Sequence, residues 1–87
     1  METKVYVMVL AAFDTAGTIR PISLKWEDGT VYMIDKVKAV RSAASMKAGG
    51  QGDRYTINVK GQEKYLFFER NTSTSGSNIG RWFVERR

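Results

Sequence analysis

Six segments of this chain, residues 3–14, 19–26, 30–41, 53–60, 63–70 and 80–86, are dominated by valine, tyrosine and phenylalanine, and no window of helical length carries a sustained helical stripe. That pattern leaves little room for anything but short strands. Ile22, Leu24 and Trp26 alternate with Ser23 and Lys25, and Tyr55, Ile57 and Val59 alternate in the same way, as expected where one face of a strand is buried and the other wet. The first segment is apolar on both faces, with Val5, Val7, Val9, Ala11 and Phe13 set against Tyr6, Met8, Leu10 and Ala12. It reads as a long strand that is buried on both sides or passes from one sheet to another. The block Tyr65-Leu66-Phe67-Phe68 is likewise apolar on both faces and is expected at the centre of the sheet, with Trp26 and Phe67 in the core.

Turn chemistry punctuates these segments. Asp28-Gly29 predicts a two-residue type I′ hairpin, with Trp26 pairing across to Val31 or a near neighbour, because glycine takes positive φ without steric cost. Lys60-Gly61-Gln62 predicts a second hairpin. Asn71 to Asn78 has no apolar residue and reads as a flexible polar loop. Ser42 to Gly49, rich in alanine and bounded by a serine and a glycine, favours one short helical turn near residues 42–48. Short strands and tight turns predict a small antiparallel barrel or roll of about six strands, in the size range of SH3-like and OB-like barrels. Eighty-seven residues make a single domain, 1–87, with one core.

Composition narrows the chemistry. There is no cysteine and no histidine, which removes disulfides, thiolate nucleophiles, most zinc sites and the usual general base near neutral pH. The acids Glu27, Asp28, Asp35, Asp53, Glu63 and Glu69 show no spacing that forces two together, and Ser42, Ser45 and Lys47 lack the serine-x-x-lysine spacing of a lysine-activated serine. The expectation is a binding module without enzymatic activity, cofactor or metal. The apolar run Val5–Phe13 is half the length of a membrane span and reads as a strand rather than a signal core, so a cytoplasmic setting without membrane association is expected. No feature addresses oligomeric state.

The net charge of +5, from 14 basic and 9 acidic residues, favours a polyanionic partner. The stretch MKAGGQGDRY, residues 46–55, suggests a phosphate cradle, but its order is wrong for one. A nucleotide loop places glycines ahead of a helix N-terminus, whereas here the helix-favouring residues precede Gly49 and Gly50. What remains is a basic rim, Lys38, Arg41, Lys47 and Arg54, beside Tyr55. This is the arrangement that holds single-stranded nucleic acid, cations along the backbone and a ring under a base. Against it stands a Tyr55 turned inward with Ile57 and Val59. Nucleic acid is the preferred partner and protein–protein contact the alternative. A nucleic-acid binder should gather its basic residues on one face, and a protein-interaction module should expose an apolar patch.

Trp26-Glu27-Asp28-Gly29, Ile34-Asp35-Lys36-Val37, Arg41-x-Ala43-Ala44-Ser45-x-Lys47-Ala48-Gly49-Gly50, Arg54-Tyr55 and Arg81-Trp82-Phe83-Val84-Glu85 together resemble a family of small uncharacterised proteins of Gram-positive, clostridia-like bacteria. The resemblance covers nearly the whole chain. It implies no activity, ligand or catalytic residue, and residues 71–78 stand as an embellishment of this sequence.

Overall fold

A computed structural model describes residues 3–44, 51–70 and 79–86. Seven strands, β1 (Thr3–Phe13), β2 (Ile19–Lys25), β3 (Val31–Met33), β4 (Lys36–Ala44), β5 (Gln51–Val59), β6 (Gln62–Arg70) and β7 (Gly80–Arg86), form one antiparallel sheet in the order β3-β2-β1-β7-β6-β5-β4. The fold is all-β, and the sheet curls into a half-barrel. Because β1 pairs with both β2 and β7, the first and last strands lie at the middle of the sheet.

The segment expected as one strand over 30–41 is two. The Ile34 N–H donates to the Ile22 carbonyl at 3.0 Å, and the next amide, Asp35, donates to the Asn58 carbonyl at 2.8 Å. Consecutive residues thus serve opposite edges of the sheet. β1 does switch neighbours: Thr3–Val7 lie opposite Arg86–Trp82 of β7, whereas Met8–Phe13 lie opposite Lys25–Ile19 of β2. Only its inner face is covered. Tyr6, Met8 and Leu10 point outward, Met8 at 71% exposure, so the expectation of cover on both sides fails there.

The turns exchange roles. Lys60 and Gly61 both have positive φ, 52° and 76°, and join Val59 to its opposite residue Gln62, so the type I′ turn lies here. At Asp28-Gly29 only the glycine has positive φ, at 90°. The Trp26 carbonyl accepts from the Gly29 N–H and the Trp26 N–H donates to the Thr30 carbonyl, a longer loop with the glycine as its bulge. Asp28 Oδ1 accepts the Thr30 N–H at 2.9 Å, which holds the Asp28 carboxyl below its ordinary value. Of the helical turn near 42–48, residues 42–44 belong to β4 instead, because Ala44 pairs with Gln51 across a hairpin. Residues 45–48, and the polar loop 71–78, lie outside the described residues.

The inner face carries Leu24, Tyr55, Ile57, Leu66, Phe68 and Trp82 as the core. Tyr55 and Trp82 rings are 5.1 Å apart, and Phe68 and Trp82 rings 4.8 Å. On β6 the alternation places Leu66 and Phe68 inward and Phe67 outward, so Phe67 is not a core residue. Trp26 is half-buried at one lip of the curl.

Candidate functional site

Directly opposed residues of neighbouring antiparallel strands share a face, so the register spells out what each face displays. Opposite Arg41 on β4 is Arg54 on β5; opposite Arg54 is Phe67 on β6; opposite Phe67 is Phe83 on β7; and opposite Phe83 is Tyr6 on β1. One row across five strands therefore reads Arg-Arg-Phe-Phe-Tyr. It lies on the outer face. Phe67 and Phe83 rings are stacked, 5.0 Å apart and 7° from parallel, and Tyr6 meets Phe83 edge-on at 5.8 Å. Phe83 is only 5% exposed although it is on this face, because Lys4 covers its ring at 4.7 Å and the two aromatics flank it.

Charge divides the row in two. At its β1–β7 end, Glu69 accepts from Lys4 Nζ at 2.9 Å and from Arg81 at 3.1 Å, while the Arg81 guanidinium lies 4.1 Å over Tyr6. The bond from Lys4 holds the Glu69 carboxyl below its ordinary value. Stability from this cluster is then complete above the ordinary carboxylate range, near pH 4.3, and is lost as pH falls through the lowered value. The stability gap between the wild type and Glu69→Gln should accordingly be widest at neutral pH and close in acid, when followed by urea denaturation at stepped pH. A gap of constant size would mean that Glu69 does not gather these cations in solution.

At the β4–β5 end no carboxylate among the described residues answers the charge. Arg41 and Arg54 face each other across the two strands, and among the described residues neither has an ion-pair partner. Like charges directly opposed are unfavourable unless something anionic lies between or above them. Arg54 spreads its guanidinium 4.7 Å over the ring of Tyr65, which is 48% exposed, and its Nε is buried without an acceptor. This corner offers two guanidinium groups without an ion-pair partner among the described residues, one of them laid over an accessible ring.

The basic rim expected from sequence is therefore only partly assembled. Arg41 and Arg54 come together. Lys38, at the β4 bulge, is neutralised by Glu63 at 2.9 Å, and Lys47 lies outside the described residues. Tyr55 is corrected: it is 2% exposed on the inner face, its hydroxyl donating to the Ile19 carbonyl at 2.9 Å, and burial pushes its phenol pKa up. No base can reach that ring. Tyr65 supplies the exposed aromatic instead, and the signal that could have found it is the pairing of β5 with β6, which brings Thr56 opposite Tyr65 and Arg54 beside it.

The six carboxylates weighed as acids each have a structural partner. Glu27 pairs with Arg86, Asp53 with Arg70, Glu63 with Lys38 and Glu69 with Lys4 and Arg81, while Asp28 and Asp35 accept the Thr30 and Lys60 amides. A second feature shares the outer face: Met8 and Leu10 on β1 and Val31 and Met33 on β3, separated by Lys25 and Ser23 of the intervening β2, are all more exposed than buried. No protein-family model, curated protein or solved structure matches this chain.

Proposed function

We propose that this protein is a cytoplasmic, non-enzymatic binding module that holds single-stranded nucleic acid on its outer sheet face. The observation that carries the reading is the opposed pair Arg41 and Arg54, without a carboxylate partner among the described residues, beside the exposed Tyr65 ring. Two guanidinium groups on neighbouring strands suit consecutive phosphates, and each supplies planar, bidentate recognition that lysine lacks. Tyr65 and Phe67 then lie where a base can stack, a sequence-tolerant contact because every base has a π-face.

Fluorescence anisotropy with labelled single-stranded DNA and RNA tests this. Binding at about 50 mM salt should weaken steeply as salt rises, since each phosphate contact releases condensed counterions. Tyr65→Ala should cost about 1–3 kcal/mol at fixed salt. Arg41→Ala and Arg54→Ala should each lower the salt slope by roughly one unit. Failure of both oligonucleotides to bind at low salt would overturn the proposal. Met8, Leu10, Val31 and Met33, exposed on the same face on either side of β2, would then make protein contact the favoured reading, because large apolar side chains gathered on one exposed face of a small domain mark an interaction site.

A further inference from the structure

A gap between β6 and β7 opens on the inner side of the curl, with cations and an aliphatic floor that the nucleic-acid face does not use, although Tyr65 and Phe67 border both. β6 and β7 are in register from Arg70 opposite Gly80 to Phe67 opposite Phe83, and there the ladder stops. Beyond it Lys64 and Tyr65 on β6 stand apart from Val84 and Glu85 on β7, and the gap opens into a cavity of about 520 Å³. That volume lies within the range of small-molecule sites, roughly 300–1,000 Å³. Leu24, Ile57, Val59 and Val84 make its floor, so the space reaches the hydrophobic core.

The polar groups are confined to the rim. Lys60, Gln62 and Lys64 follow one another around the type I′ turn, and Trp26 and Tyr32 face them as aromatic walls. Lys60 Nζ lies 5.2 Å from the centre of the Tyr32 ring. Neither Lys60 nor Lys64 has a carboxylate partner among the described residues, and the lining holds one acid, Glu85. Two ammonium groups at the entrance of an apolar space select among ligand classes. A cation would meet like charge. A polyanion such as a nucleotide would carry a further charge onto aliphatic floor, where its desolvation goes uncompensated.

We infer that this cavity binds a small apolar anion, a medium-chain carboxylate in type, with its hydrocarbon body on Leu24, Ile57, Val59 and Val84 and its head group at Lys60 and Lys64. The chain displaces water from apolar walls, and the carboxylate accepts charge-assisted hydrogen bonds at the rim. The site is independent of the nucleic-acid face in its cations, which are Lys60 and Lys64 rather than Arg41 and Arg54.

Titrating the folded protein with decanoate, with decanol as the uncharged counterpart, tests the inference by two-dimensional amide NMR. Decanoate should give saturable shifts confined to residues around Leu24, Trp26, Tyr32, Ile57–Phe67 and Val84–Glu85, and decanol should bind about tenfold more weakly, the loss of one charge-assisted contact. The double variant Lys60→Gln, Lys64→Gln, whose changes are both at exposed positions, should remain folded by circular dichroism and bind decanoate no better than the wild type binds decanol. Absence of saturable shifts, shifts spread through the outer face beyond Tyr65 and Phe67 to Tyr6, Arg41 and Arg54, equal affinity for decanol, or undiminished binding by the double variant would each overturn it.

Discussion

Trp82→Ala is expected to remove about 3–5 kcal/mol of stability, the usual cost of emptying a tryptophan site in a core. Trp82 lies opposite both Val7 and Phe68, so its ring joins the β1–β7 ladder to the β6–β7 ladder, and it packs at 5.1 Å on Tyr55 from the facing part of the curl. Its removal leaves Tyr55 and Phe68 without their shared neighbour. A chain of this length has a total stability of roughly 4–13 kcal/mol, so the variant should unfold at low urea or not fold at all. Phe67→Ala is the internal comparison. Phe67 stacks on Phe83 on the outer face and is only half-buried, so its truncation should cost about half as much, from lost area and one aromatic pair. Urea midpoints with unchanged m-values would measure the difference; an equal loss from both variants would mean that the outer aromatics form a second core.

The contrast between Trp82 and Phe67 also marks where the sequence is readable. Alternation in Tyr55-Ile57-Val59 names a single buried face, and the inward position of Tyr55 follows from it; on β2 the same reading fails at Ser23, expected on the wet face but buried like Leu24. Tyr65-Leu66-Phe67-Phe68 has no polar face to distinguish in from out, and only the neighbours on β5 and β7 decide. The division of 30–41 into β3 and β4 is equally invisible locally. Its cause is that the Ile34 amide bonds back to β2 while the Asp35 amide bonds forward to β5, a long-range exchange of partners.

The two arginines were closer to legible. In an antiparallel hairpin the numbers of opposed residues have a constant sum, and Ala44 opposite Gln51 fixes Arg41 opposite Arg54. Helix-favouring Ser42-Ala43-Ala44 conceals that hairpin, since alanine propensity is a weak preference that strand pairing overrides. The cavity had no sequence signature, because it follows from the place where the β6–β7 ladder ends.

Gly52→Ala should be nearly as damaging as the tryptophan change although it adds one methyl group. A Cβ at Gly52 would stand 2.2 Å from the Phe68 carbonyl oxygen and 3.2 Å from its carbon, both backbone atoms that no side-chain rotation can move. Gly80 approaches the same stretch of β6 from the other flank, where a Cβ would meet the Glu69 carbonyl oxygen at 2.5 Å. Phe68 and Glu69 are thus gripped on both sides at one end of the curl. Relief requires β5 to move away from β6, at a cost of about 3 kcal/mol by the scale of overpacked cores. Gly61→Ala gives the reference: nothing lies within 4 Å of its Cβ, so only the positive φ opposes it, at about 1–2 kcal/mol. The expected signature of Gly52→Ala is local as well as global. Amide protection should fall first at residues 52–54 and 67–69, and because Arg54 is two residues along β5, oligonucleotide affinity should fall with it. If Gly52→Ala costs no more than Gly61→Ala in urea, the two strands part readily enough to admit a methyl group, and the tight approach does not fix the Arg41–Arg54 corner.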